Sequence, residues 1–194
     1  MSRLKKMVCS VGAIIAIVTG GAVVSTDGYP PPVGAVVIDG EHIGDLKISK
    51  RALEVIGNAE GCRRNPYQCP AGLLTDGIGN THGVTGQVKT DNQIAADWVR
   101  NILAAQACLA KETALNSLRQ GEIDSLVSFI FNTGCTTYRR NKDGSSTRIA
   151  KYVRAGDMTA ACNEFQFWVY AAGKRLAGLV TRRHLEFEMC IGKV

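Results

Sequence analysis

Residues 60–82 read EGCRRNPYQCPAGLLTDGIGNTH and place glycines among two cysteines, two carboxylates and a histidine. Glycine tolerates a positive φ and lets the backbone come close to a ligand. The stretch follows residues 49–60, in which apolar side chains recur at helical spacing behind Ser49 as a candidate N-cap. A helix that ends at Gly61 and continues into a small hairpin around residues 73–79 is predicted, with Glu60 on its last turn. We expect the active site here.

Length and charge narrow the class of protein. The chain has 194 residues, of which 45% are hydrophobic and 21% charged, as in a folded domain with one sizeable core. The net charge of +6 suits a polyanionic partner such as a cell wall or an anionic membrane. Nucleic acid is disfavoured as a partner because no basic block is longer than a pair such as Arg139-Arg140 or Arg182-Arg183, and the basic residues are not interleaved with aromatic ones.

The cysteines indicate disulfides formed in an oxidising compartment. The seven are Cys9, Cys62, Cys69, Cys108, Cys135, Cys162 and Cys190. They form neither a CxxC pair nor a cluster with zinc spacing, and His42, His82 and His184 are too scattered for a metal site. The sequence therefore predicts three disulfides with one thiol left over, and no metal or cofactor.

An uncharged run over residues 7–24 follows Arg3, Lys5 and Lys6 and is 18 residues long, at the short limit for crossing a bilayer. The positive flank predicts a cytoplasmic start, so that the rest of the chain is exported. Glycine, serine and threonine dilute the run, which could insert and later leave the membrane. The alternative is a signal peptide cleaved near Gly20-Gly21-Ala22, which would discard Cys9.

The predicted domains are a membrane segment at 1–26, a linker at 27–48 and a catalytic domain at 49–194. The linker contains three consecutive prolines and at most a short strand at 35–38. In the domain, Asp91 is expected to cap a long helix that reaches about residue 118, and a buried helix follows from 121 to 134. Shorter helices are predicted at 147–154, 158–167 and 180–190. The fold class is α+β and mostly helical, with a small β-hairpin lobe joined by the long helix to a helical lobe.

The spacing of the candidate site residues resembles that of a known family. Glu60-Gly61, Cys69 at plus nine and Thr75 at plus fifteen resemble the Glu-x8-Asp/Cys-x5-Thr signature of the phage lysozymes, glycoside hydrolase family 24. The later blocks that extend the resemblance are Gly77-Ile78-Gly79, Phe131-Asn132-Thr133-Gly134, Trp168 and Gly178-Leu179-Val180-Thr181-Arg182-Arg183. The resemblance covers roughly residues 49–190 and implies the two-lobed lysozyme fold.

The resemblance also implies roles for individual residues. Glu60 would protonate the glycosidic oxygen between N-acetylmuramic acid and N-acetylglucosamine in peptidoglycan. Cys69 and Thr75 would position a water on the opposite face of the sugar, which implies inversion. Arg182 or Arg183 would pair with Glu60 or a neighbour, although a solvated arginine is the simple alternative for each.

Two departures from the family pattern affect these roles. Many members carry Asp where this chain has Cys69, so a buried structural thiol is the alternative for Cys69, and Asp76 is the rival for the carboxylate role. The histidine often found after the second glycine is Asn80 here, with His82 two places on. We therefore expect Asp76, Asn80 and His82 to support the site or contact substrate.

Within the family, the chain is most similar to endolysins with a signal-arrest-release (SAR) N-terminus, which suggests a use for the odd cysteine. A Cys62–Cys69 disulfide would cage the enzyme at the host inner membrane, and Cys9 would attack Cys62 after release into the periplasm. Loss of the membrane potential, for example through a phage holin, would permit release. The remaining cysteines, Cys108, Cys135, Cys162 and Cys190, would form two structural disulfides by any of three pairings, of which Cys108–Cys135 with Cys162–Cys190 is nearest in sequence.

Two other functions compete with a membrane-released, monomeric peptidoglycan hydrolase. A lytic transglycosylase would cut the same bond and leave an anhydro-sugar. A secreted glycan-binding protein would keep the scaffold without catalysis, and the presence of both Glu60 and Thr75 argues against it.

Overall fold

The computed structural model describes residues 7–21, 28–69 and 72–193 and has the predicted mixed, mostly helical architecture. The helices are α1 (Val11–Val18), α2 (Lys50–Glu60), α3 (Asp91–Ala110), α4 (Gln120–Thr133), α5 (Cys135–Arg139), α6 (Arg148–Ala155), α7 (Met158–Glu164) and α8 (Ala177–Cys190). The strands are β1 (Pro32–Ile38), β2 (Glu41–Ser49), β3 (Arg63–Gln68), β4 (Leu74–Gly77), β5 (Tyr170–Ala171) and β6 (Lys174–Arg175). The strands form antiparallel two-stranded sheets, in which β1 pairs with β2, β3 with β4, and β5 with β6.

The long helix α3 connects the β3–β4 hairpin to the helical part of the chain. Its N-cap is Thr90, one residue before the predicted Asp91, because the Thr90 hydroxyl accepts the Gln93 N–H in a capping box. Ile94, Trp98 and Ile102 are buried along one side of the helix. The helix ends at Ala110 rather than near residue 118, and a short 3₁₀ turn occupies 115–117.

The linker predicted for 27–48 is wrong over most of its length, because β1 and β2 form a hairpin there. Val36, Leu46 and Ile48 are fully buried, and β2 packs against α3 and α4. The turn between the strands is Asp39-Gly40, with φ of 52° and 80°. Asp-Gly between two runs of alternating apolar residues is a strong hairpin signal, and the nearby prolines obscured it.

The corner between β2 and α2 is held by a buried carboxylate. Ser49 precedes α2 as predicted, but its hydroxyl donates to Asp124 of α4 and makes no helix cap. Asp124 also accepts the Ser49 N–H at 2.8 Å and the Tyr29 hydroxyl at 3.0 Å. Burial raises the pKa of Asp124, and these hydrogen bonds oppose the rise. The network fixes the start of α2 on the helical core.

The apolar N-terminal segment lies against the domain. Ile14, Ile15 and Val18 of α1 are buried, and α1 packs on α2 and α3. Within the described part of the chain, none of the helices has both the length and the apolar character needed to cross a bilayer. The predicted basic flank at residues 3–6 and the end of the apolar run at 22–24 lie outside the described residues.

The helices α4 and α8 approach each other so closely that one contact requires a glycine. A Cβ atom on Gly121 would lie 2.0 Å from the backbone oxygen of Met189. By contrast, a Cβ atom on Gly178, near the start of α8, would have no heavy atom within 4 Å.

Gly121→Ala is expected to lower the free energy of unfolding by about 1–3 kcal/mol, because a backbone carbonyl cannot move aside as a flexible side chain can. Gly178→Ala is the matched control, and alanine should there stabilise the helix by up to about 1 kcal/mol. Urea unfolding followed by circular dichroism measures both. Equal midpoints for the two variants would contradict the close helix contact.

Candidate active site

Glu60 is the last residue of α2, and Gly61, at φ 69°, ends the helix as predicted. Leu53 and Ile56 are buried on the inner face of α2. The packing of this helix therefore sets the position of the Glu60 carboxylate. Arg182 of α8 donates from Nη1 to Glu60 Oε1 at 2.6 Å. The Glu60 side chain is 24% exposed, whereas that of Arg182 is 4% exposed. The buried Arg182 guanidinium therefore holds the Glu60 carboxylate on its protein side, and the other side of the carboxylate is open to solvent.

The open side of Glu60 lines a cavity of about 700 Å³ between α2 and the start of α8. Asn132, from the end of α4, and Arg182 also line it. Thr75 and Cys69 do not appear among the described residues that line this cavity. Trp168 packs edge-on against Phe129 at 5.0 Å between ring centroids, which is a core contact.

The turn after β4 lies directly against the Glu60 carboxylate. Gly79 has φ of +66°, and a Cβ atom there would lie 3.1 Å from Glu60 Oε2. Any side chain at this position would therefore press on the carboxylate and also strain the backbone. The glycine lets the turn after β4 approach Glu60.

Cys69 and Thr75 lie near each other at the end of the β3–β4 hairpin. Tyr67 pairs with Thr75 across the strands, and the Cys69 N–H donates to the Leu73 carbonyl at 2.9 Å. Thr75 is 3% exposed, and its hydroxyl donates to the same carbonyl at 3.1 Å. Cys69 is half-buried.

Asp76 follows Thr75 on β4, so the two side chains point to opposite faces of the strand. The Asp76 carboxylate is buried and accepts hydrogen bonds from Asn80 Nδ2 at 2.8 Å and from Lys89 Nζ at 2.9 Å. Asn80 also accepts the backbone N–H of His82 at 3.2 Å. These contacts brace the turn that carries Gly79, so Asp76 and Asn80 have bonding partners that fit a supporting role.

Tyr67 is a residue near the site that the sequence reasoning missed. Burial raises the pKa of its phenol, and the negative charge of Glu60 raises it further, while the Arg63 guanidinium, 4.3 Å above the ring, lowers it. Cys69 and Asp76 raise it by smaller amounts. The phenol therefore stays protonated near Glu60 and can donate a hydrogen bond. Its position seven residues after Glu60 was the available signal.

A buried cluster stands behind Arg182. Glu186 of α8 accepts the Arg182 Nε–H at 3.2 Å and the Ser128 hydroxyl at 2.7 Å, and it forms an ion pair with Arg183 Nη1 at 2.8 Å. Arg183 also donates to Asn132 Oδ1. The structure thus brings Arg182, and not Arg183, into contact with Glu60. Sequence reasoning missed Glu186, although its position four residues after Arg182 fits an intrahelical ion pair.

The described residues include three disulfides, namely Cys9–Cys62, Cys108–Cys135 and Cys162–Cys190. Of the three pairings that the sequence leaves open for the last four cysteines, the structure has the one whose partners are nearest in sequence. Around the first, the backbone joins the sheet: the Cys9 N–H donates to the Cys62 carbonyl at 3.3 Å, and the Arg64 N–H donates to the Met7 carbonyl at 2.8 Å. Residues 7–9 therefore lie antiparallel to the start of β3, with an isolated β-bridge between Val8 and Arg63.

Comparisons with known proteins agree with this geometry. A family model described as phage lysozyme matches residues 57–186. A SAR-endolysin of Escherichia phage P1 is 44% identical over 154 residues, which cover 76% of this chain and 83% of the relative. A SAR-endolysin of Haemophilus phage HP1 is 36% identical over 153 residues, 76% of this chain and 82% of the relative.

Solved structures give the same assignment. The crystal structure of the active form of the P1 phage endolysin Lyz matches with a TM-score of 0.76 and 38% identity, over 95% of each chain. The secreted inactive form of that endolysin matches with a TM-score of 0.53 and 42% identity, over 73% of this chain and 93% of the other. With these matches in sequence and in structure, the chain belongs to the phage lysozyme family, as a lysozyme-type muramidase and endolysin of the SAR type.

Proposed function

We propose that the protein hydrolyses the β-1,4 bond between N-acetylmuramic acid and N-acetylglucosamine in peptidoglycan, with Glu60 as the general acid. The observation that carries the proposal is the Glu60 carboxylate, fixed by Arg182 at 2.6 Å and open to a cavity of about 700 Å³. A general acid must lie on a rigid support within reach of the leaving oxygen, and the end of α2 supplies that support.

Cys69 and Thr75 are proposed to position the attacking water. Both lie at the loop end of the β3–β4 hairpin, and the turn that follows β4 contacts Glu60. Attack by water on the face opposite the acid inverts the anomeric carbon in one step. Asp76 is the weaker candidate for the water-binding role because Asn80 and Lys89 already occupy its carboxylate.

The reaction products test this proposal. Digestion of purified peptidoglycan in ¹⁸O-labelled water should give muropeptides with a reducing N-acetylmuramic acid that carries one ¹⁸O at its anomeric carbon. Early in the reaction, proton NMR should show the α-anomer in excess, because the substrate bond is β. Unlabelled 1,6-anhydro products, seen by mass spectrometry, would instead identify a lytic transglycosylase.

We also propose that thiol–disulfide exchange activates the enzyme. In the caged state Cys62 and Cys69 form a disulfide, and the Cys9 thiolate attacks the sulfur of Cys62. The Cys9–Cys62 bond forms as the Cys62–Cys69 bond breaks, and Cys69 leaves as a thiolate that takes up the proton Cys9 has lost, so no external oxidant is needed. The Cys9–Cys62 disulfide in the structure is the bond expected after exchange.

The proposed location follows the names of the SAR-endolysin relatives. The chain would be exported as a monomer, held first in the host inner membrane by residues 1–26 with the catalytic domain outside, and then released into the periplasm. Moving about four positive charges outward against a potential of about 100 mV costs about 9 kcal/mol. A holin that collapses the potential would remove this barrier.

A further inference from the structure

The carboxylate of Glu186 lies fully buried behind the active site and contacts two guanidiniums and one hydroxyl group. Its oxygens meet Arg182 Nε at 3.2 Å, Ser128 Oγ at 2.7 Å and Arg183 Nη1 at 2.8 Å. Burial raises the pKa of Glu186, while the charges of Arg183 and Arg182 and the hydrogen bonds from Ser128 and Arg182 lower it. Two guanidiniums in direct contact favour the carboxylate form. The arrangement therefore fits an ionised Glu186.

Four charged groups form a continuous chain from the core to the cavity. Arg182 links Glu186 to Glu60, with Glu60 Oε1 at 2.6 Å from its Nη1 atom, and Arg183 adds a second guanidinium beside Glu186. Burial lowers the pKa of Arg183 to about 10, while the charges of Glu186 and Glu60 oppose that fall. Two carboxylates and two guanidiniums balance to zero net charge.

This balance matters for a general acid, which must hold its proton until the leaving oxygen takes it. A positive charge beside a carboxyl group favours the carboxylate form. Two buried guanidiniums without a second carboxylate would therefore work against a general acid at this place.

We propose that Glu186 is a positioning residue for catalysis: its buried negative charge offsets Arg183, so that Arg182 can orient Glu60 without holding it permanently ionised. The inference rests on the proposed role of Glu60 as the acid. Glu186 itself touches no substrate and acts through Arg182.

The other charged groups around the pair are accounted for. Glu186 faces Arg182 and Arg183 on its own helix and the neutral Ser128 on α4. Glu60 contacts Arg182, and its charge also acts on Arg183 and on Tyr67 of the hairpin, which Cys69 and Asp76 also influence. Glu54 of α2 lines the same cavity as Glu60. The variants below leave all of these hairpin and α2 groups in place.

The test is the pH dependence of peptidoglycan hydrolysis by the full, released chain. Activity should fall along the alkaline limb of the pH profile, where a general acid no longer carries its proton. Glu186→Gln removes a negative charge, so this alkaline limb should move to lower pH by about one unit. Arg183→Gln removes a positive charge, so the limb should move to higher pH by a similar amount. The double variant restores the balance, and its limb should return close to that of the parent protein.

Three further variants separate charge from structure. Glu186→Asp keeps the charge and should keep the position of the limb even if the protein is less stable. Ser128→Ala removes a hydrogen bond without changing charge and should also leave the limb in place. Glu188→Gln, on the same helix but partly exposed beside His184, is the surface control. Urea unfolding of each variant identifies any that fail to fold.

The outcomes distinguish this inference from the proposed function. If Glu60→Gln is inactive but the two single charge variants leave the limb unmoved, or move it in the same direction, Glu186 has only a structural role and the inference is wrong. If Glu60→Gln retains full activity, the assignment of the acid fails first.

Discussion

Glu60→Gln is expected to lower the rate of peptidoglycan hydrolysis by about 100- to 10,000-fold, the range that general acid catalysis contributes. Glutamine keeps the size of the side chain, and its carbonyl oxygen can still accept from Arg182 Nη1. Glutamine has no acidic proton to deliver to the leaving glycosidic oxygen. The measurement is the initial rate of muropeptide release from purified peptidoglycan, with the concentration of folded enzyme checked by circular dichroism.

Glu54→Gln is the matched control for this variant. Glu54 lies on the same helix as Glu60 and lines the same cavity. The contacts with Gly79 and Arg182 that position the acid are made by the carboxylate of Glu60. Its loss should change the rate by no more than a few-fold. Equal losses in both variants would mean that the cavity needs negative charge in general, and a Glu60→Gln enzyme with full activity would overturn the assignment of the acid.

The parts of the site that sequence predicted are those with local causes. Glu60 could be placed at a helix end because the apolar period of α2 stops at Gly61, and that stop is visible in the order of residues. The resemblance to the phage lysozymes named the two hairpin residues, Cys69 and Thr75, which propensity alone would not have singled out.

The parts that sequence missed depend on contacts between distant segments. Glu186 lies 126 residues after Glu60, and only the packing of α8 against α2 and α4 connects them. Lys89 reaches Asp76 in the same way, from outside the hairpin. The β1–β2 hairpin is a different case, because its Asp39-Gly40 turn is a local signal, whereas the three consecutive prolines just before it favour a linker.

The cysteine switch makes two opposite predictions. Cys9→Ser should leave the released protein with less than about one hundredth of the parent activity, since serine cannot attack a disulfide under these conditions and Cys62 stays bonded to Cys69. A thiol reductant should restore activity by breaking that bond. Cys62→Ser should be active while still tethered, because the Cys62–Cys69 disulfide cannot form in this variant. Cells that express it should lyse before the membrane depolarises.

The double variant Cys9→Ser/Cys62→Ser is the control for the switch. It removes any new pairing between Cys9 and Cys69 and should be active without reductant. Loss of the Cys9–Cys62 disulfide should lower its free energy of unfolding by about 2–4 kcal/mol, so activity is compared well below its melting temperature. Disulfide mapping by mass spectrometry before and after depolarisation identifies the bonded pairs in each variant. Activity of Cys9→Ser without reductant, with Cys62 bonded to Cys69, would rule out the cage.

The backbone contacts of residues 7–9 make the Cys9→Ser result interpretable. The Met7 N–H donates to Asn65 Oδ1 at 2.8 Å, and the Arg64 N–H donates to the Met7 carbonyl at 2.8 Å, and neither bond involves sulfur. The apolar contacts of Ile14, Ile15 and Val18 are likewise independent of Cys9. The released segment of Cys9→Ser can therefore still dock beside β3 and on α2. An inactive Cys9→Ser protein that reductant reactivates would trace the block to the Cys62–Cys69 bond, because docking is available to it before and after the reductant is added.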